Sequence, residues 1–273
     1  MQYKEFELIL SSFKCNKNCP YCTAKITKWP LVDDKIEKLK YNLQFLKEKN
    51  ISFKYFIFCG NGEPSLHSFE TIKKVYDTVT SSDMFEEYRF QSSGNIFFEP
   101  EKLDLIKDKF LIEITRVDFS PEKDMKILGY NQDYLNCKNF SKADVRLNYV
   151  MLKNKSFEEY LSEIKQYLDT YPNIKTVSLK TLNLNTRDNN LSNPYTKWIV
   201  ENALTKKDSD EIIKKMMLSA EFKLKDEKFF DRYEWIYADK PITFYAKKLD
   251  YGFSNVVCYG GELVDYHLNK LKF

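Results

Sequence analysis

From residue 5 to residue 182, short apolar runs alternate with stretches whose apolar positions fall three and four apart. EFELILSS at 5–12 reads as a strand. The next stretch puts Ile36, Leu39, Leu43 and Leu46 on one helical face, with Asp33 or Asp34 placed to cap it. FKYFIFC at 53–59 is a near-continuous apolar strand, and Phe69, Ile72, Val75, Tyr76 and Val79 line one side of the helix that follows. Residues 88–92 predict a third strand and 99–109 a short helix opened at Pro100. LIEITRVDF at 111–119 and DVRLNYVM at 144–151 are the fourth and fifth strands, separated by a segment, 120–141, of little periodicity. Ser156 and Glu159 make a capping-box pattern for a helix burying Phe157, Leu161, Ile164 and Leu168. TVSLKTL at 176–182 is the sixth strand.

Strands of this kind, rich in β-branched and aromatic residues and alternating with helices, predict parallel βαβ units covered on both faces, an α/β fold of barrel type. After about residue 185 the rhythm changes. Asn193-Pro194 starts a helix, 208–220 reads as another, and 231–265 holds several short strand candidates, with YGGE at 259–262 a turn between two of them. The expected organisation is a barrel unit over 1–185 and a small α+β extension over 186–273 packed on it. No internal repeat or low-complexity linker interrupts the chain.

Composition narrows the classes. The 273 residues are 43% hydrophobic and 30% charged, ordinary for a folded globular chain, and 16% aromatic, which is high. Lys and Arg number 43 against 40 Asp and Glu, a net charge of only +3, and no basic block marks a nucleic-acid arm. No apolar run approaches the roughly 20 residues of a membrane span. MQYKEFELILSS carries glutamates inside its apolar stretch and does not read as a signal peptide. The expected compartment is the cytoplasm, where thiols stay reduced and clustered cysteines point to metal or redox chemistry.

The carboxyl ends of barrel strands build the active site, and the first such segment is Cys15-Asn-Lys-Asn-Cys19-Pro-Tyr-Cys22. Three thiolates at spacings of four and three can wrap one compact inorganic core. Structural zinc wants four protein ligands, and iron–sulfur cubes normally take four cysteines. Three leave a corner open to a substrate or cofactor.

This CxxxCxΦC pattern, with Tyr21 at Φ, resembles the signature of the radical S-adenosylmethionine enzymes. The resemblance implies a partial, open (β/α)6 TIM-like barrel over roughly residues 5–185. It implies one [4Fe–4S] cluster on Cys15, Cys19 and Cys22, with S-adenosylmethionine on the remaining iron. Gly60-Asn61-Gly62-Glu63-Pro64 after the second strand is similar to the family's GGEP element, with Asn61 where a second glycine is usual, and implies a site for the methionyl amine. Ser92-Ser93-Gly94-Asn95 lies where relatives carry a Ser/Thr-Asn-Gly element. On the fourth strand Arg116, Asp118 and Ser120 share one parity; if it faces inward, Arg116 meets the methionyl carboxylate and Asp118 or Ser120 the ribose. The other parity would bring Glu113 and Thr115 inside, and period-two reasoning leaves both open. Asn148 on the fifth strand is a further cofactor contact, with a salt-bridged Arg146 of the same parity as the structural reading.

Cys59, Cys137 and Cys258 stand singly, which argues against a second cluster. Each reads first as a small buried hydrophobe, with Cys137 and Cys258 the candidates for donating a hydrogen atom to a substrate radical. The two histidines, His67 and His267, are too few for histidine-centred hydrolysis. The aromatic run at 229–253 reads as sheet core. The implied substrate is a small molecule or nucleotide, with a ribosomal peptide as the alternative. A flavodoxin or ferredoxin is the expected electron donor. The reading from another class is a zinc-binding or interaction scaffold without catalysis.

Overall fold

The computed structural model describes residues 2–11, 14–27, 29–182, 191–218, 222–226, 230–247, 255–265 and 269–271; His267 and the boundary at 185/186 lie outside them. The strands are β1 (Gln2–Leu10), β2 (Ser52–Gly60), β3 (Phe85–Ser92), β4 (Phe110–Arg116), β5 (Val145–Met151), β6 (Ile174–Thr181), β7 (Phe222–Asp226), β8 (Phe230–Tyr237), β9 (Lys240–Lys247), β10 (Asn255–Tyr259) and β11 (Glu262–Val264). The helices are α1 (Thr23–Thr27), α2 (Glu37–Glu48), α3 (Phe69–Thr80), α4 (Pro100–Ile106), α5 (Pro121–Leu128), α6 (Phe157–Thr170), α7 (Pro194–Asn202) and α8 (Lys206–Leu218).

β1 to β6 lie side by side in chain order and pair in parallel throughout. Parallel neighbours need crossovers, and helices supply them. Strands of 222–264 continue the same sheet at both ends: β10 pairs in parallel with β1, and β9 in parallel with β6. β11 and β8–β7 then complete the edges in antiparallel fashion, and the strand order runs open from β11 to β7. The expected α/β sheet of an open, partial barrel is therefore present. The YGGE turn also forms, with Gly260 and Gly261 at φ 57° and 80° joining β10 to β11.

Two faces divide the work. One parity of the strands (Phe58, Phe90, Ile112, Leu147, Leu179) packs with helix residues Leu43, Ile72, Leu103 and Ile164 into the main core. Rings supply much of it; Phe6 meets Phe53 edge-on at 5.3 Å between centroids. The opposite parity gives Ile9, Tyr55, Ile57, Cys59, Val257 and Tyr259 a smaller apolar cluster. That face turns polar across β3 to β5, where Arg89, Gln91, Glu113, Arg146 and Asn148 stand. In the aromatic tail Tyr233, Trp235 and Phe244 are buried sheet core, as expected for the described part.

Three local expectations change. Neither Asp33 nor Asp34 caps α2, whose N-cap Ile36 makes no side-chain bond; Asp34 instead accepts the Ser11 N–H at 2.9 Å, tying the end of β1 to the approach of α2. The segment of little periodicity contains α5. This helix is specified by its ends, with Ser120 accepting from the Lys123 N–H, Pro121 in the first turn and Gly129 closing at φ 64°. Only Asp124 and Leu128 of α5 are buried, so no apolar stripe announces it. The fourth strand stops at Arg116, where the Asp124 carboxylate takes the next two N–H groups, Val117 at 2.7 Å and Asp118 at 3.3 Å. The Ser156–Glu159 capping box is formed in full. No helix among the described residues is long and apolar enough to cross a membrane.

Candidate functional site

The cysteine loop leaves β1 and is pinned from three directions. The Glu63 N–H donates to the Lys14 carbonyl at 2.7 Å, and the Asn18 N–H donates to the Leu128 carbonyl at 2.9 Å. The Ser93 hydroxyl donates to Asn16 Oδ1. Loops after β2 and β3 and the end of α5 thus grip the segment that carries the thiols. Gly129 is required for that grip: a Cβ there would sit 2.9 Å from Asn18 Cβ.

Cys15, Cys19 and Cys22 line one cavity of about 540 Å³ together with Lys17, Gly60, Asn61, Gly62, Trp29 and Tyr195. Cys15 is exposed, and Cys19 and Cys22 are half-buried. Burial pushes the Cys19 thiol up to about 11 and raises Cys15 as well. Among the described residues no three His, Cys, Asp or Glu side chains converge on one ion-sized point.

Lys17, between the first two cysteines, is only 7% exposed. Its Nζ lies 4.4 Å from the Tyr130 ring centroid, 5.0 Å from that of Tyr134 and 3.4 Å from the Thr115 carbonyl oxygen. Burial lowers its pKa, while Asp124 and Cys19 oppose that shift. A buried lysine amine in an aromatic cage is thus built into the floor of the thiol loop. Tyr21 packs with Cys19 against Val117, Leu128 and Val150, and its ring lies 5.8 Å from Trp198 of α7. Its hydroxyl is buried without a hydrogen-bond partner among the described residues.

The glycine segment after β2 approaches the thiols through backbone. Asn61 donates to the Tyr259 hydroxyl at 3.0 Å, linking this loop to the last residue of β10. Tyr259 in turn donates to the Pro30 carbonyl and meets the Trp29 ring edge-on at 5.1 Å. Glu63 is 2% exposed and does not line the cavity. Its carboxylate accepts from the Ser65 N–H at 3.1 Å, the Ser65 hydroxyl at 2.5 Å, the Ser92 hydroxyl at 2.8 Å and the Ser93 N–H. Asn95 donates to the Ser65 hydroxyl at 3.1 Å. Ser92, Asn95 and Glu63 are therefore one network behind the cavity wall.

The parity of the fourth strand is resolved by the structure: Arg116 points to the helix layer and Glu113 to the opposite face. Arg116 is fully buried, with Nε 3.2 Å from Asp124 and Nη1 3.2 Å from Asp133, and Nε also donates to the Tyr167 hydroxyl of α6 at 3.0 Å. Asp118 pairs with Lys155 at 2.7 Å. Neither residue reaches the cavity, because the two odd-numbered neighbours of Arg116 carry the inward parity instead. Asn148 does face inward and donates to Glu113 at 3.4 Å. Cys258 lies on the helix side with its sulfur 3.7 Å from Asn42 Nδ2, and Cys137 donates to the Phe97 carbonyl at 3.1 Å. Neither lines the cavity; Cys59, directly before Gly60, is the lone cysteine on the inner face. Sequence reading missed Lys17, Trp29 and Tyr195. Lys17 sat inside the motif, but Tyr195 follows the change of rhythm and carried no signal.

No family model matches the chain, and no curated protein matches it in sequence. Its fold is similar to solved structures. One is native anSMEcpe with bound AdoMet and Cp18Cys peptide, at TM-score 0.55 and 17% identity, covering 79% of this chain and 59% of that one. Another is a histidine-tagged form of anSMEcpe with bound AdoMet, at TM-score 0.52 and 17% identity, covering 78% and 58%. The chain thus spans under two thirds of the length of the structures it resembles. What these likenesses establish is the architecture: a mostly parallel α/β sheet, unclosed, of partial-barrel form.

Proposed function

We propose that the protein is a radical S-adenosylmethionine enzyme whose cluster is held by Cys15, Cys19 and Cys22. The observation that carries this reading is the meeting of these three cysteines with Gly60, Asn61 and Gly62 in one cavity at the carboxyl ends of β1 and β2. The shared fold with a protein that binds AdoMet supports it. The residues present fit a [4Fe–4S] group: three thiols line one cavity that is larger than a single ion. When bound, the cluster would supply the electron that splits the S-adenosylmethionine sulfonium, the start of hydrogen abstraction from substrate.

The chain's own residues do the rest. Gly60, Asn61 and Gly62 let backbone approach the methionyl end closely, and Glu63 fixes that loop through Ser65, Ser92 and Ser93. Tyr21 packs beside Cys19 on the Val117, Leu128 and Val150 cluster and backs the thiol loop from behind the cavity. Lys17 places its amine beside the thiol loop, where burial lowers its pKa and the nearby Asp124 and Cys19 charges favour the protonated form. α7 covers the loop with Tyr195 and Trp198 and limits water access. Asn148 remains the candidate cofactor or substrate contact on the inner face, whereas Arg116 and Asp118 serve the scaffold in this reading.

The substrate we assign is a small molecule or nucleotide. A peptide is the second reading, favoured by the Cp18Cys peptide bound in the similar fold. A flavodoxin- or ferredoxin-type donor in the cytoplasm completes the scheme. Anaerobic loading with iron and sulfide should give a four-iron spectrum that shifts when S-adenosylmethionine is added. Stoichiometric zinc uptake at the three thiols, with no iron spectrum, would instead establish the scaffold reading.

A further inference from the structure

Two guanidinium groups share one carboxylate on the inner face of the sheet. Glu113 Oε1 lies 3.5 Å from Arg89 Nη1 and 3.5 Å from Arg146 Nε. Both separations are within ion-pair range but beyond a good hydrogen bond. Arg89 and Arg146 are 8% and 7% exposed, and the Nε of each is buried with no hydrogen-bond partner among the described residues. Two more buried polar atoms have no hydrogen-bond partner among the described residues, Asn148 Oδ1 and Ser178 Oγ, and Ser178 is fully buried.

These groups share one face. The register aligns Gln91 with Glu113 and Glu113 with Arg146, then Thr115 with Asn148 and Asn148 with Ser178. Arg89, two residues before Gln91, has its guanidinium 3.6 Å over the Tyr55 ring, in the apolar cluster that also holds Cys59. Cys59 leads directly into the cavity-lining Gly60. Arg89 stands three residues before the end of β3, so at about 3.3 Å per residue the cluster lies about 10 Å below the cavity rim. Lys180 of β6 adds charge to the same group, with Arg146, Glu113, Glu5 and Arg89 as its electrostatic neighbours. The other acids of this face are Glu87 of β3, whose Oε2 lies 3.5 Å from Arg89 Nη2, and Glu5 and Glu7 of β1, to which Asn255 Nδ2 donates at 2.6 and 3.4 Å.

Buried polar groups are ordinarily satisfied, and several left without partners on one face mark a place where a ligand supplies them. We propose that the Arg89–Glu113–Arg146 cluster, with Ser178, is the docking site for an anionic group of the substrate, a carboxylate or a phosphate. Guanidinium Nε–H groups and the Ser178 hydroxyl donate to it, and Asn148 Oδ1 accepts from a ligand O–H or N–H. A charge-assisted bond to guanidinium is the strong kind and suits either oxyanion. Glu113 holds the two guanidiniums in place until the ligand arrives and competes with it for them. That the ligand is a substrate rests on the proposed radical enzyme; that the cluster binds an anion does not.

The test is calorimetric titration of the iron–sulfur-loaded protein, without oxygen, with inorganic phosphate and separately with malonate. Saturable one-site binding of at least one probe is expected. Arg89→Gln and Arg146→Gln should each weaken it about tenfold or more, the equivalent of one lost charge-assisted contact. Glu113→Gln should tighten it, because the competing carboxylate is gone; a purely structural triad would show no gain. Circular dichroism confirms the fold of each variant, and Glu113→Gln keeps the test decisive if an arginine variant does not fold. Binding of phosphate alone or malonate alone supports the site and tells the two anion classes apart. No saturable heat with either probe, or binding indifferent to all three substitutions, overturns it. Because the heats are read without turnover, a failure here is distinct from a failure to cleave S-adenosylmethionine.

Discussion

Cys19 and Gly94 show how single positions shape the thiol loop. Burial holds the Cys19 thiol protonated up to about 11 in the metal-free protein, against an ordinary 9.0. A raised folded-state pKa means the folded form prefers the neutral thiol. That contribution is whole below about pH 9 and is lost as pH rises through about 11. Loading a metal core must therefore expel protons. Alkylation of Cys19 in metal-free protein, followed by peptide mass mapping, should reach half its limiting rate near pH 11; half-maximal alkylation at or below pH 9 would contradict the burial argument. Gly94 sits at φ 100°, and a Cβ there would meet the Tyr134 ring at 2.1 Å. Tyr134 is also one wall of the Lys17 cage. Gly94→Ala should cost more than about 1 kcal/mol, since both backbone strain and a clash act together, and should reduce iron retained after desalting. A variant with the native melting temperature and full iron would refute the coupling between this turn and the thiol loop.

Elements were legible to the extent that their own residues specify them. The helix over Phe157–Thr170 has both an apolar stripe and a capping box, and sequence placed it correctly. Ser156→Ala should cost about 1 kcal/mol, visible as a melting shift of about 2 °C in a chain of this size; no shift would mean the box contributes nothing to stability. α5 was invisible because its caps, Ser120 and Gly129, carry the specification while its body buries only Asp124 and Leu128. The three cysteines and the glycine segment were legible because their spacing is local. Arg116 was not, since two parities fit the fourth strand and only the packing of α6 and Asp124 chooses between them. Nor was the Asn61–Tyr259 bond, which joins residues far apart in the chain.

At the scale of the whole molecule, the last strands are part of the site's frame. β10 runs beside β1 over five register pairs, Glu5↔Asn255 to Ile9↔Tyr259, and Val256, Val257 and Cys258 are almost fully buried. Ending the chain at residue 254 would strip β1 of a neighbour and expose an apolar edge. Such a chain should aggregate or lose its cooperative melt; a soluble protein melting as the native one does would show β10 to be dispensable. The segments after β1 and β2, with Tyr195 of α7, line the cavity where the proposed enzyme would cleave S-adenosylmethionine. The most direct measurement is 5′-deoxyadenosine formed by the reconstituted, reduced protein under nitrogen, beside a variant carrying Cys15→Ala, Cys19→Ala and Cys22→Ala. Deoxyadenosine from the native protein and none from the variant is the expected result. A loaded four-iron protein that leaves S-adenosylmethionine intact would contradict the account.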